Sequence, residues 1–353
     1  AAFRYLLVTV LSVALYLVGL FLLYRQSGEL AFSLIAKAIG EAEAVSRVVT
    51  VASVLLFSGV AIRAALVPFH LWLADAHGEA PHPISALLSG LMLKASFIAL
   101  WRIVSIFSEY PQLLSLLFWS GIVSAVVGVV FALSQSDAKR LLAFHSISQM
   151  GYVAAAAGAG ALSGALYHAV GHALFKSLLF LIVGHYITRT GSRDVYRMRG
   201  LRPSGDRELL PALLFLAGAA AIAGIPPFTG YVSKGLIATG LKGSVAYWLL
   251  KGVAIGTAAS FCKLGVIVLP RPGVAHPAPT SAPTPARATT PTSPAKGGHP
   301  GIGVLESIAL SVIALLTLVL GLLPTRVLEL FSRLGLAPAV EGSGLYEPAA
   351  IGE

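Results

Sequence analysis

The sequence is short of charge. Only 11% of its 353 residues are Asp, Glu, Lys or Arg, and 56% are hydrophobic; in a soluble domain about 25% are charged. A globule of this length cannot hide so much apolar surface from water. The composition therefore excludes an ordinary soluble fold and predicts a protein whose solvent is lipid.

Cysteine and acidic residues are also scarce. Cys262 is the single cysteine, so no intrachain disulfide can form. With 25 basic and 15 acidic residues the formal net charge is +10. This excess does not indicate a nucleic-acid partner, because the basic residues lie mostly in short loops between apolar stretches. That distribution is typical of loops that set membrane topology.

Patterns for a catalytic or metal site are missing as well. His168 and His172 are four residues apart, but no Glu or Asp accompanies them as in the HExxH zinc motif. The sequence has no glycine-rich loop of the kind that binds a phosphate, and no pair of haem ligands that can be assigned to facing helices. We therefore expect no metal, no cofactor and no catalytic redox site within this chain.

The chain contains nine apolar stretches that approach the roughly 20 residues needed to cross a bilayer. They predict an all-α, polytopic transmembrane bundle of about nine helices. The stretches are 3–24, 47–73, 84–107, 112–134, 138–158, 161–188, 209–239, 246–269 and 302–323.

Proline interrupts the second and the seventh stretch. Pro68 lies in one, and Pro226 and Pro227 lie in the other. Because proline removes a backbone donor and clashes with the preceding turn, both helices should be discontinuous. Such breaks are tolerated in a membrane only where protein or a watery cavity covers the freed backbone groups.

The remaining segments complete the predicted organisation. Residues 29–44 should form an interfacial amphipathic segment, and 325–336 an amphipathic surface helix. The chain divides into a transmembrane domain (1–269), a Pro/Thr/Ala/Ser-rich flexible loop (270–301), a last transmembrane helix (302–323) and a surface helix with tail (324–353). The Arg-rich loop 189–207 favours an orientation with that loop and residue 1 in the cytoplasm.

Several basic side chains fall inside the apolar stretches, where an ionisable group is costly and its default interpretation is functional. Histidine titrates near neutral pH, and burial makes an amine easier to deprotonate, so a file of such groups suits proton transfer. Spacing by four places His168, His172 and Lys176 on one face of the sixth predicted helix. The set is Arg63, Lys94, His145, His168, His172, Lys176, Lys234 and Lys263.

Structural roles compete with this interpretation. The role of His168 could be limited to a hydrogen bond with a neighbouring helix. His145 lies near a helix end and is better explained as a structural residue. Lys263 could extend to the lipid headgroups, as could Lys251 and Arg102. Lys94 has apolar residues on both sides and Lys234 follows a helix break, so these two are better explained by function.

Four segments resemble one known family. They are VPFHLWLADAHGEAPHPISALLSGLMLK (67–94), SDAKRLLAFHSISQMGY (136–152), YHAVGHALFKSLLFLIVG (167–184) and AGIPPFTGYVSKGLI (223–237). Their motifs and order are similar to those of the proton-conducting antiporter-like subunits of respiratory complex I, Mrp-type Na⁺/H⁺ antiporters and membrane-bound hydrogenases.

The resemblance implies two inverted five-helix repeats, each with one discontinuous helix. It also implies a proton path through the positions of Lys94, His172 with Lys176, and Lys234, with His168 as an auxiliary. Arg63 stands where the family usually has lysine. Since arginine does not release its proton in proteins, we expect it to act only electrostatically.

The family's lysine at the position of Arg63 pairs with a glutamate on a helix that would precede residue 1. This chain lacks that glutamate, so the first repeat is expected to be incomplete. Either the chain is a fragment, or the earlier helices belong to a separate polypeptide.

These features predict a proton-translocating subunit of a complex I-like or hydrogenase-type redox-driven pump in the inner membrane of a prokaryote. Its partners would be other membrane subunits, the bilayer and protons. An Mrp-like cation/proton antiporter subunit, which would also handle Na⁺, remains an alternative. A non-conducting structural subunit is the other, favoured by Arg63 and the incomplete repeat.

Overall fold

The computed structural model describes residues 2–41, 46–198, 209–268 and 302–336. Regular structure in these ranges is helical, apart from an isolated bridge between Asp137 and Asp194. The α-helices are α1 (Ala2–Ser27), α2 (Phe32–Gly40), α3 (Arg47–Arg63), α4 (Leu71–Glu79), α5 (His82–Leu87), α6 (Leu93–Ile106), α7 (Pro111–Ser134), α8 (Ala138–Gly158), α9 (Leu162–Thr190), α10 (Leu209–Ala223), α11 (Thr229–Thr239), α12 (Val245–Leu264), α13 (Val304–Leu322) and α14 (Pro324–Arg333).

Six helical segments in the described ranges are long and apolar enough to cross a membrane. They are α1, the continuous run from α5 to α6, α7, α9, α12 with its 3₁₀ extension, and α13. The other three predicted crossings correspond to α8 and to the interrupted pairs α3–α4 and α10–α11. The predicted all-α membrane bundle is confirmed.

The first interrupted helix breaks between Arg63 and Leu71, around Pro68. Backbone groups freed by the break find partners within the protein. The Val67 amide donates to Ser124 Oγ at 2.9 Å, and Trp72 Nε1 donates to the Ile62 carbonyl at 2.9 Å. The bundle therefore covers the break, as a discontinuous helix in lipid requires.

The second break separates α10 from α11, around Pro226 and Pro227. Here α13 packs against the broken backbone: a Cβ added to Gly321 would lie 1.9 Å from the Pro227 carbonyl oxygen. Only glycine allows this approach. The close packing of α13 therefore covers the break on that side. Carbonyls freed by the break lie close to Lys234.

Some predicted boundaries were wrong. The second stretch was expected to end at 73, but its second half continues as α4 to Glu79. The 29–44 segment is helical only over Phe32–Gly40, and residues 42–45 lie outside the described ranges. The loop 270–301 and most of the Arg-rich loop beyond Met198 also lie outside them.

Two helices form the centre of the bundle. Almost every residue of α8 is buried, and so is most of α9. By contrast, α1 and α13 expose long rows of apolar side chains. A hydrophobic exterior around a polar-containing centre is the arrangement expected in lipid, where costly ionisable groups face the protein interior.

Candidate functional site

The polar stripe predicted on α9 lies in the protein interior. His168, His172 and Lys176 have no solvent-exposed surface. Successive members are four residues apart, so they follow one another along one helix face at about 6 Å of rise per step. α8 packs beside this face, which removes the stripe from contact with lipid.

Lys94 meets this stripe from α6. Its Nζ hydrogen-bonds to His172 Nδ1 and donates to the Ser89 carbonyl at 2.7 Å. Ser89 belongs to a single π-helical turn, Leu88–Met92, which directly precedes α6. Such turns leave backbone carbonyls without a regular helical partner and occur often at functional sites. Here the turn supplies the second acceptor that holds the Lys94 ammonium in the interior.

Lys176 is held against α8 and an aromatic ring. Its Nζ donates to the carbonyl of Leu142 and lies 5.6 Å from the ring centroid of Phe180. The file continues to α11 at the other end of the stripe, where His168 Nδ1 lies 2.9 Å from Ser233 Oγ. Ser233 is the chain neighbour of Lys234, so α9 and α11 meet at this pair.

Lys234 occupies the second helix break. Its Nζ donates to the Ile222 carbonyl at 2.6 Å, one of the acceptors released where α10 ends. The ammonium also lies 5.5 Å from the ring centroid of Tyr152, whose ring is 5.6 Å from that of His168. Tyr152 on α8 therefore lies beside both His168 and Lys234.

A cavity of about 220 Å³ adjoins Lys234. Tyr152, Tyr247 and Lys251 also line it. Lys251 and Tyr247 lie near the start of α12, next to the short 240–244 connection. The cavity therefore lies towards that end of the bundle, and it has room for several waters of about 30 Å³ each.

Comparison with known proteins identifies the family. Residues 1–261 match the model of the NADH:quinone oxidoreductase/Mrp antiporter transmembrane family. The chain belongs to this antiporter-like family. The predicted resemblance is therefore confirmed.

Relatives of this antiporter-like chain include a chloroplast NAD(P)H-quinone oxidoreductase subunit 5 from Nephroselmis olivacea, which is 36% identical over 63% of this chain and 36% of its own length. Among solved structures, the Mrp complex of Dietzia sp. contains a chain that matches with a TM-score of 0.79 and 27% identity, over 98% of this chain and 68% of that one.

An archaeal membrane-bound sulfane sulfur reductase contains a chain that matches with a TM-score of 0.77 and 26% identity, over 94% of this chain and 64% of its own. The chain spans about a third to a half of the length of the curated relatives it matches.

Arg63 stands apart from the other predicted relay residues of this antiporter-like subunit. It is the last residue of α3, at the first break, and its guanidinium makes no hydrogen bond or ion pair within the described ranges. Lys94, Lys176 and Lys234 likewise have no carboxylate partner in that part of the chain. Their electrostatic relations are therefore with one another and with the histidines.

Sequence reasoning missed His77. It is fully buried on α4 and stacks on Phe180 with ring centroids 4.8 Å apart. Neither ring nitrogen has a hydrogen-bond partner among the described residues. The Phe180 ring therefore stacks on the His77 imidazole and also lies close to the Lys176 ammonium. The available signal was a histidine inside the 67–94 motif, close to the proline break.

Two other basic residues bind backbone carbonyls. Lys139, the second residue of α8, is buried and donates to the Ala80 carbonyl, at the turn between α4 and α5. Lys263, which the sequence suggested could extend to the headgroups, donates through Nζ to the carbonyls of Leu133 and Gln135, both at 2.7 Å, where α7 ends.

His145, better explained as structural from the sequence, hydrogen-bonds through Nε2 to Ser260 of α12. One turn further along α8, the amide of Gln149 is buried with no partner for either polar atom among the described residues. Gln149 carried no signal in the sequence beyond its polarity, because its burial depends on the packing of α8 between its neighbours.

Proposed function

We propose that this chain translocates protons across a membrane through the buried file Lys94, His172, Lys176, His168 and Lys234. The observation that carries the proposal is the hydrogen bond between Lys94 Nζ and His172 Nδ1, which joins two titratable groups from different helices in the bundle interior. A purely structural bundle gains little from burying such groups, because each costs at least a few kcal/mol at bilayer depth.

The geometry supports a stepwise transfer. When Lys94 donates to His172 Nδ1, that nitrogen carries no hydrogen, and the imidazole can release a proton from Nε2 while accepting one at Nδ1. Two adjacent cations repel each other, so protonation of Lys94 disfavours a charge on His172 or Lys176. A proton entering the file therefore favours the departure of the next one.

The two ends of the file have different surroundings. At one end His168 leads through Ser233 to Lys234 and the cavity of about 220 Å³. At the other end Lys176 lies beside Phe180, the ring that stacks on His77. Lys234 is suited to act as the gate on the side of the 240–244 connection. Arg63 would tune the field at the first break without exchanging its own proton.

The proposal extends to the cellular setting. The chain would reside in the inner membrane of a prokaryote, with residue 1 and the Arg-rich 189–207 loop in the cytoplasm. It would assemble with other membrane subunits into a complex I-like or hydrogenase-type pump, in which partners carry the electrons. Residues 1–269 would form the conducting domain, and 270–301 a flexible loop before the last crossing.

A second candidate is a subunit of an Mrp-like cation/proton antiporter. The match to a chain of the Dietzia Mrp complex over 98% of this chain favours it. The third candidate, a non-conducting structural subunit, predicts that changes in the file alter assembly without altering proton movement. Na⁺-dependent proton movement in the reconstituted complex separates the antiporter from the redox-driven pump.

The test is proton movement by the assembled complex in liposomes. Lys176→Met and Lys234→Met keep the side-chain volume but remove the amine, and each should abolish most of the flux. Lys242→Met, at an exposed position in the connection before α12, is the matched control and should leave the flux unchanged. Unimpaired flux in the assembled Lys176 and Lys234 variants would refute the proposed relay.

A further inference from the structure

A second cavity, of about 430 Å³, lies at the opposite end of α9 from His168. His185 and Thr188 of α9, His82 at the start of α5 and Glu306 at the start of α13 are among its lining residues. His185 is 17 residues beyond His168, which corresponds to about 25 Å along the helix. The two cavities therefore lie towards opposite ends of the bundle, separated by most of the roughly 30 Å hydrocarbon thickness.

Two imidazoles at this cavity have unused hydrogen-bonding capacity. His82 Nδ1 and His185 Nε2 are both buried, and neither has a hydrogen-bond partner in the part of the chain that the structure describes. A buried polar nitrogen without a partner is costly. A cavity of this volume has room for waters that would satisfy both nitrogens and exchange protons with them.

His82 is packed directly onto α9. A Cβ added to Gly184 would lie 2.4 Å from His82 Cγ, so the imidazole lies flush against the helix backbone. One turn earlier on α9 is Phe180, the ring that stacks on His77. Because residue 184 is glycine, the imidazole of His82 can lie against α9, one helical turn from Phe180 and the His77 ring that stacks on it.

The row continues to the proposed relay. The Lys176 ammonium lies 5.6 Å from the centroid of Phe180, on the next turn. His82, His77 and Lys176 thus follow one another along the same length of α9, from the second cavity to the Lys176 end of the file.

We propose that His82 and His185 form the proton-accepting mouth of the file, taking protons from water in the second cavity and supplying them through His77 to Lys176. This inference rests on the proposed proton translocation. An imidazole binds a proton at one nitrogen and releases one from the other, so the step needs no further reactant. The Glu306 carboxylate on α13 would raise the local concentration of protons at the cavity.

The experiment uses the complete complex in liposomes and the double variant His82→Gln/His185→Gln. Its proton flux should fall about 100-fold or more, as expected when a positioned acid–base group is lost. Free imidazole should restore a large part of the flux, because it fits the cavity and replaces the missing group. Pyrazole, of the same size but a far weaker base, should not.

Thr188→Ala is the matched control, because Thr188 lines the same cavity without a titratable group; its flux should equal that of the unchanged chain. Lys176→Met should lose flux that imidazole does not restore. If the double variant fails to assemble, His82→Gln and His185→Gln are measured singly, each with a smaller loss and the same rescue.

The outcomes separate the two proposals. Full flux in the double variant, together with a loss in Lys176→Met, would overturn the mouth and leave the relay standing. Full flux in both would overturn the relay itself. A loss in the double variant that imidazole fails to rescue would assign His82 and His185 a structural role and would also overturn the mouth.

Discussion

Ser233 Oγ lies 2.9 Å from His168 Nδ1, where α9 meets α11. The hydroxyl also donates to the Gly230 carbonyl at 3.3 Å, and Lys234 is its chain neighbour. A hydroxyl can accept a hydrogen bond and donate one at the same time. Ser233 therefore links the imidazole of His168 on α9 to the backbone of α11, a contact that no sequence motif indicated.

If the hydroxyl lies on the proton path, replacing Ser233 by alanine should slow proton flux about 100-fold, while the complex assembles normally. Ser233→Thr keeps the hydroxyl and should retain most of the flux. Flux is measured in liposomes, with assembly checked by size-exclusion chromatography. Equal flux in the alanine and threonine variants would exclude the hydroxyl from the path.

The close approach of Gly321 to Pro227 predicts a stability effect. Gly321→Ala places a methyl group 1.9 Å from the Pro227 carbonyl oxygen, so α13 must move. We expect a loss of about 1–3 kcal/mol, the usual cost of overpacking, seen as a lower thermal-unfolding midpoint in detergent.

Gly252→Ala on α12 is the control for that change, because no atom lies within 4 Å of the added Cβ. It should leave the midpoint unchanged or raise it, since alanine favours the helix by up to about 1 kcal/mol. Equal midpoints for the Gly321 variant and the unchanged chain would show that α13 does not pack against the break.

The features that depend on local sequence could be predicted. The two helix breaks follow from Pro68 and from Pro226 with Pro227, and the stripe on α9 follows from spacing by four. Both rest on covalent geometry and helix period, which act within a few residues. The placement of α8 at the centre did not follow, because its composition does not distinguish contact with lipid from contact with protein.

The missed features depend on contacts between distant parts of the chain. His77 stacks on a phenylalanine of a distant helix, α9, and Lys139 bonds the carbonyl of Ala80, 59 residues earlier in the chain. Lys263 finds its carbonyl partners 128 and 130 residues earlier. No local pattern encodes these pairings. The order of the four motifs did identify the family, through resemblance rather than through physics.

Lys263 should contribute to stability and not to transport. Its ammonium binds carbonyls left unpaired at the end of α7, where a positive charge is also attracted to the negative end of the helix dipole. Lys263→Met should lower the free energy of unfolding by roughly 1 kcal/mol and leave proton flux unchanged. Lys37→Met, in an exposed pair with Glu41, serves as the control and should change neither. A loss of flux in an intact Lys263 variant would place this lysine in the path.

The bond between Lys94 and His172 predicts non-additive kinetics. Lys94→Gln and His172→Gln should each lower flux strongly, because each removes one end of the same hydrogen bond. Either single change already removes this hydrogen bond, so the second change removes nothing further. The proton flux of the double variant should therefore be no lower than that of the worse single variant.

The cycle is measured as initial proton uptake by the complex in liposomes, at equal protein content. Lys94→Gln combined with Gly321→Ala is the reference pair, and its effects on the unfolding midpoint should add, because the two residues share no contact in the described ranges. If the Lys94 and His172 effects on flux multiply instead, each residue acts on protons independently. The file would then not be a serial relay, since one broken link in a series already stops transfer across it.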